Sequence, residues 1–218
     1  MTTPALRFPR GLYGITPEWD DTKRLLHAIE AAYDGGMQSL QWRRKLASPQ
    51  LAKQQLDAVI DLCQRLCLPL LINDDWKLAT QLHVAGAHIG KEDGVLSQAR
   101  AALRPSKWLG TSCYNSLELA REALALEVDY IAFGAIYTSN IKPNAPRATL
   151  EQLQQGRQLS EEFATSTRAS IVAIGGINPN NTAALIDAGV DAVAVISHLF
   201  EAEDVQKQAR AFSRLFHL

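Results

Sequence analysis

The sequence predicts an α/β protein folded as a (β/α)8 TIM barrel, and three observations lead there. Short apolar runs recur about eight times along the 218 residues, each followed by a stretch of helical periodicity. Strands alternating with helices imply parallel pairing through right-handed crossovers. Each run also ends, on its C-terminal side, in polar or glycine residues, so parallel pairing would gather those groups on one face. In an α/β barrel that face carries the catalytic residues. An open doubly wound sheet is the alternative if one of the eight runs is not a strand. The length suits one domain with a full core but is short for a barrel, so residues 1–218 are read as a single barrel domain without large insertions.

Each element has its own signal. Gly11-Leu-Tyr-Gly-Ile-Thr16 is the first strand. Leu25, Leu26, Ile29, Ala32 and Tyr33 share a helical face between Thr22 and Tyr33, and Gly35-Gly36 stops that helix. The second strand is Ser39-Leu-Gln-Trp-Arg43. Ser48-Pro49 reads as an N-cap followed by proline at the first helical position. The helix that follows is expected to bury Ala52, Leu56, Val59, Ile60, Cys63 and Cys67. Pro69 opens the third strand, and a helix runs from about Asp75 to His83. The Gly86 strand leads to a short helix near Ser97, and Lys107–Ser112 leads to a helix from Ser116. The Tyr130 strand leads, after a long loop, to a helix from Thr149. The Ser170 strand leads through Asn178-Pro179 to a helix ending before Gly189. The Ala192 strand precedes a short helix at His198-Leu-Phe200 and an amphipathic helix around Val205 to Leu215.

Composition narrows the function. Charge is balanced, 22 basic against 23 acidic residues, which argues against a nucleic-acid surface or a basic membrane patch. No apolar stretch approaches the ~20 residues that span a bilayer, and the first ten residues hold no apolar signal core. Cys63, Cys67 and Cys113 form no disulfide framework, so free thiols in a reducing compartment are expected. The expectations are a cytoplasmic location with neither nucleic acid nor membrane as partner. The oligomeric state is left open.

Two groups of residues at the strand ends could carry chemistry. Ala173-Ile-Gly-Gly-Ile177 places two glycines where a strand turns into a helix, so their N–H groups can approach an anion closely. Ser197 follows the last strand, and barrels often hold phosphate between these two loops. A tight turn would equally call for the glycines. Elsewhere on the same face, Arg43 and Lys45 from the second strand end and Lys142 from the sixth loop can bind a polyanion. Asp74 and Asp93 could pair with those cations, or hold Mg²⁺ together with substrate phosphate oxygens. Gln41 and Asn73 sit in otherwise apolar strands, as satisfied core amides or as partners of a heteroaromatic ligand. His88 is either a satisfied core histidine or a substrate contact. Signatures of hydrolase triads, zinc sites and P-loops are missing from the sequence.

The motifs Gln41-Trp-Arg-Arg-Lys45, Leu71-Ile-Asn-Asp74, Gly86-Ala-His-Ile-Gly-Lys-Glu-Asp93 and Gly110-Thr-Ser112 stand in a fixed order. They continue with Gly134-Ala-Ile-Tyr-Thr-Ser-Asn-Ile-Lys142, Ala173-Ile-Gly-Gly-Ile177 and Ala194-Val-Ile-Ser197. In order and spacing the chain resembles the thiamine-phosphate synthase family from about Gly11 to the last helix. The resemblance implies a barrel that joins hydroxymethylpyrimidine diphosphate to a thiazole phosphate and releases diphosphate. It implies that Gln41 and Asn73 bind the pyrimidine with His88 beside it, and that Arg43, Lys45, Ser112, Ser139 and Lys142 hold the diphosphate. Arg43, Lys45 and Lys142 would be the catalytic cations, and Asp74 and Asp93 the Mg²⁺ ligands. Gly176, the backbone of Ile196 and Ser197 would hold the thiazole phosphate. The implied reaction is dissociative: diphosphate leaves, and the thiazole nitrogen captures a pyrimidine carbocation. Such chemistry needs leaving-group charge stabilised and two partners positioned, with little acid–base machinery.

Three positions depart from the family pattern. Asp75 stands where an arginine is usual, Ile141 where a hydroxyl residue is usual, and Lys91 where a glutamine is usual. Arg44 offers a charge that could compensate for Asp75. A thiazole tautomerase-like paralogue and a non-catalytic sensor of thiamine precursors are the alternatives. Five charges converging on one face without a polyanion would repel or pair wastefully, which favours the synthase. The loop from Ser139 to Ala148, with Pro143, Pro146 and Arg147, is expected to close over bound diphosphate.

Overall fold

The computed structural model describes residues 4–104, 106–138 and 147–217. A two-residue strand β1 (Ala5–Leu6) precedes the first barrel strand, β2 (Gly11–Ile15). The other barrel strands are β3 (Met37–Trp42), β4 (Leu70–Asn73), β5 (Gly86–Ile89), β6 (Trp108–Tyr114), β7 (Tyr130–Phe133), β9 (Ser170–Ile174) and β10 (Ala192–Val195). They pair in parallel and close as β10-β2-β3-β4-β5-β6-β7-β9. β8 (Thr167–Arg168) stands outside the barrel and pairs with β1. The open-sheet alternative is therefore set aside by the β10–β2 pairing, in which Ala192 lies opposite Gly11.

The helices form where local chemistry starts them. α1 (Thr22–Asp34) is capped by Asp21 and α2 (Pro49–Leu66) by Ser48, whose hydroxyl accepts from Leu51 N. α3 (Trp76–Gln81) begins at Asp75, and α4 (Leu96–Leu103) follows β5. α5 (Leu117–Ala125) is capped by Ser116, and α6 (Leu150–Glu162) opens with a capping box of Thr149 and Gln152. α7 (Pro179–Asp187) opens with a second box, Asn178 and Asn181. α8 (Ser197–Phe200) and α9 (Val205–Leu215) end the chain. Among the described residues no helix is long and apolar enough to cross a membrane.

Two expectations about buried faces fail. Cys67 is exposed, because α2 stops at Leu66 and Cys67 turns left-handed at φ 52° to cap it. Its side chain therefore leaves the buried stripe that holds Leu56, Val59 and Cys63. Tyr33 likewise lies outside the buried face of α1, which is Leu25, Ala28, Ile29 and Ala32.

The core has two layers. The larger lies between strands and helices and includes Leu12, Leu40, Ile72, Ala87, Leu109, Ile131, Ile171 and Val193. The smaller fills the barrel and holds the strand residues of opposite parity, including Tyr13, Leu71, Tyr130, Val172 and Ala194. Gly110 makes this filling possible, since a Cβ there would stand 1.9 Å from the Tyr130 ring. Phe8 seals the N-terminal end, with its ring 4.3 Å from Tyr130 and 5.1 Å from Tyr13 between centroids. The opposite end, where the strands finish, carries the candidate site.

Candidate active site

The residues after β3 are held by one carboxylate. Glu18, in the loop after β2, accepts from Arg43 Nη1 at 3.2 Å, Arg44 Nη1 at 3.1 Å, Lys45 N at 2.9 Å and Leu46 N at 3.2 Å. Thr16 Oγ1 accepts from Arg43 N at 2.8 Å and donates to the Arg43 carbonyl at 3.0 Å. Arg44 also pairs with Asp20 at 2.7 Å, and its side chain is only 1% exposed. Arg44 therefore belongs to the scaffold and does not compensate for Asp75. Asp75 has a different task, accepting from Leu78 N at 2.8 Å to cap α3.

Lys45 reaches across to the next strand end and pairs with Asp74 at 2.7 Å, with half its side chain exposed. Thus Arg43 and Lys45 each have a carboxylate partner. The Lys45–Asp74 pair is the more exposed of the two, and pairs of that kind contribute little net free energy, so an incoming phosphate can replace Asp74 at small cost.

Asp74 sits at φ 66° immediately after β4, and Asp93 lies after β5 with its carboxylate accepting from Gly90 N at 2.6 Å. Burial alone would raise the Asp74 carboxyl, but the Lys45 ammonium and a hydrogen bond from Asp93 outweigh it and hold Asp74 low. Burial pushes Asp93 up, the Gly90 N–H opposes this, and the neighbouring Asp74 charge adds to the rise. The two carboxyls thus interact, and their shifts run in opposite directions. Among the described residues no three His, Cys, Asp or Glu side chains cluster as a metal site. A two-carboxylate set completed by substrate oxygens is nevertheless one that Mg²⁺ accepts.

Gln41 and His88 point into the barrel. Gln41 Nε2 donates to Tyr13 Oη at 2.8 Å, and Tyr13 Oη lies 2.9 Å from Tyr130 Oη. His88 Nδ1 lies 2.9 Å from Tyr130 Oη, and its Nε2 lies 2.9 Å from Ser112 Oγ. Burial lowers the His88 imidazole to about 4 against a smaller opposing pull from Asp74, so the ring is neutral at neutral pH. Both ring nitrogens are satisfied within the protein, as in a core histidine. Asn73 closes β4 beside His88 in register, half-buried.

Across the barrel mouth, Gly175 and Gly176 have φ of 104° and 63°. A Cβ on Gly176 would stand 2.5 Å from the Thr138 carbonyl, and Tyr137 N donates to the Gly175 carbonyl at 3.0 Å. The tight turn therefore explains the glycines by itself. Ile196 precedes α8 and Ser197 begins it, both half-buried. Ser139 and Lys142, with Ile141, Pro143 and Pro146, lie outside the described residues. Arg147 Nη2 donates to Thr138 Oγ1 at 2.5 Å.

A model of the family described as thiamine monophosphate synthase matches residues 12–199, from β2 into α8. The chain belongs to the thiamine monophosphate synthase family. It is 47% identical over 217 residues to the thiamine-phosphate synthase of Methylobacillus flagellatus, covering 100% of both chains. It is 48% identical over 211 residues to that of Bordetella pertussis, with 97% of each covered. The solved thiamine phosphate pyrophosphorylase of Pyrococcus furiosus superposes with a TM-score of 0.81 at 28% identity, covering 97% of each chain.

Three residues of this thiamine monophosphate synthase family member escape a reading of the sequence. Glu18 lies in a loop with no motif around it, and only the fold brings it under Arg43 and Lys45. Tyr13 and Tyr130 read as apolar strand residues. Their parity with Ile15 and Ala132 was the available signal, since it turns both rings into the barrel.

Proposed function

We propose that this chain is a thiamine-phosphate synthase, joining hydroxymethylpyrimidine diphosphate to hydroxyethylthiazole phosphate with release of diphosphate. The observation that carries the reading is the cluster of Arg43, Lys45, Asp74 and Asp93 on three adjacent strand ends. It occurs in a chain whose full-length relatives bear that name. A tautomerase-like barrel would have no use for such a cluster.

In this reading Gln41 and Asn73 orient the pyrimidine beside His88. Arg43, Lys45, Ser112, Ser139 and Lys142 hold the diphosphate, and Gly176, Ile196 and Ser197 the thiazole phosphate. Asp74 and Asp93 would hold Mg²⁺, which on binding would neutralise leaving-group charge. The residues of the chain do the rest: they align the two partners, accept the diphosphate on cations released from Glu18 and Asp74, and keep water from the reacting carbon. The whole chain would act as one barrel domain in the cytoplasm on small molecules alone.

Incubation with both substrates and Mg²⁺ tests the assignment. Thiamine phosphate and diphosphate formed in equal amounts are expected. Binding without product would favour a sensor, and isomerisation of a thiazole carboxylate alone a tautomerase. Asp93→Asn should raise the Mg²⁺ concentration for half-maximal rate, and an unchanged metal dependence removes Asp93 as a ligand.

A further inference from the structure

We infer that Tyr13 and Tyr130 are positioning residues: the buried chain Gln41–Tyr13–Tyr130–His88–Ser112 is hydrogen-bonded in one direction and presents the Ser112 hydroxyl as a donor to an anionic oxygen. The inference rests on the proposed synthase reading only for what that oxygen is, namely an oxygen of the substrate diphosphate.

With the Gln41 amide turned so that Nε2 faces Tyr13, the direction follows from counting protons. Tyr13 Oη already accepts from Gln41 Nε2. If Tyr130 also donated into Tyr13, the Tyr13 proton would have no acceptor in the closed barrel, and an unmade buried bond is costly. Tyr13 therefore donates to Tyr130, across 2.9 Å. Tyr130 is left to donate to His88 Nδ1, also across 2.9 Å, so Nδ1 carries no proton. The ring proton then lies on Nε2 and is donated to Ser112 Oγ, 2.9 Å away. Ser112, having accepted, has its own proton free to leave the chain.

Burial supports an outlet at that end. Gln41, Tyr13, Tyr130 and His88 are buried, while Ser112 is half-buried at the open end of the barrel. The polar file thus runs through the apolar barrel filling and surfaces at one hydroxyl. A serine whose oxygen is already occupied by a donor favours an acceptor ligand, and a phosphate oxygen is the acceptor the neighbouring cations would bring. His88, in this arrangement, holds Ser112 in place and exchanges no proton with substrate.

Full-length protein labelled with ¹⁵N-histidine and free of substrate tests the direction by NMR, with the His88 signals assigned by their loss in His88→Gln. The expected result is a protonated Nε2 and a bare Nδ1. Tyr130→Phe should release this tautomer into a mixture and lower kcat roughly tenfold, leaving KM for thiazole phosphate unchanged. It should add little to the loss caused by Ser112→Ala, because both act through one hydroxyl. If Tyr130→Phe does not fold, Tyr13→Phe makes the same test one link earlier. A proton on Nδ1 of the wild-type protein with normal turnover overturns this inference and leaves the synthase assignment intact. Additive losses in Tyr130→Phe and Ser112→Ala overturn it as well. The Nε2–H tautomer in a protein without synthase turnover supports the bond direction and sinks the functional reading instead.

Discussion

Glu18 joins one carboxylate to two guanidinium groups and two backbone N–H groups, and so fixes the path of residues 43–46. Removing it strands Arg44, which is almost fully enclosed and keeps only Asp20. Glu18→Ala should therefore lower the unfolding free energy by about 2–4 kcal/mol. It should also raise KM for the pyrimidine diphosphate more than KM for the thiazole phosphate. Equal movement of the two constants would show that the loop does not serve the diphosphate. His88 makes a prediction about pH. Its imidazole titrates near 6.5 in the unfolded chain and at about 4 in the folded one, chiefly because it is buried. As pH falls through 6.5 the unfolded state takes up a proton that the folded state refuses, so stability drops until pH reaches about 4. The site's share of that loss is ~3 kcal/mol. Urea unfolding at pH 7 and pH 5 should show a smaller difference in His88→Gln than in the wild type.

At the scale of elements, the two ends of the strands have separate tasks. Asp129 precedes β7, accepts from Leu109 N at 2.7 Å and pairs with Arg100 at 2.7 Å. Asp191 precedes β10, accepts from Ile171 N at 2.8 Å and pairs with Arg168 through both of its oxygens. The device is the same each time: an acid before a strand joins a neighbouring strand's N–H to an arginine. Asp191 is fully buried and Arg168 nearly so. Asp191→Ala, which leaves that guanidinium unpaired, should cost ~3–5 kcal/mol in denaturant unfolding. Asp129→Ala should cost less, because Arg100 and Asp129 are more exposed. If the order is reversed, burial is not what sets the value of these pairs.

For the whole molecule, closure of the barrel makes one end a seal and the other a site. Phe8 plugs the seal, held by Ser170 Oγ donating to its carbonyl at 2.7 Å, with β1 and β8 paired beside it. Phe8→Ala should open a cavity beneath Tyr13 and Tyr130 and lower stability by ~3–5 kcal/mol, read from the midpoint of urea unfolding. A loss below 1 kcal/mol would mean that the barrel end can collapse onto the gap. The eight strand–helix units, the helix starts at Ser48, Ser116, Thr149 and Asn178, and the face that bears polar groups were legible in the chain. Periodicity and capping are local, so neighbouring residues suffice to express them. The sequence by itself also determined which charges stand at strand ends: Arg43, Lys45, Asp74 and Asp93. Only the tertiary structure decided that Lys45 meets Asp74, that Glu18 joins Arg43 to Arg44, and that Asp75 caps a helix. It alone strung Gln41, Tyr13, Tyr130, His88 and Ser112 into one file. Those contacts join different strands and loops, and the closed barrel and its register, set by packing over the whole chain, decide which side chains come within hydrogen-bonding distance.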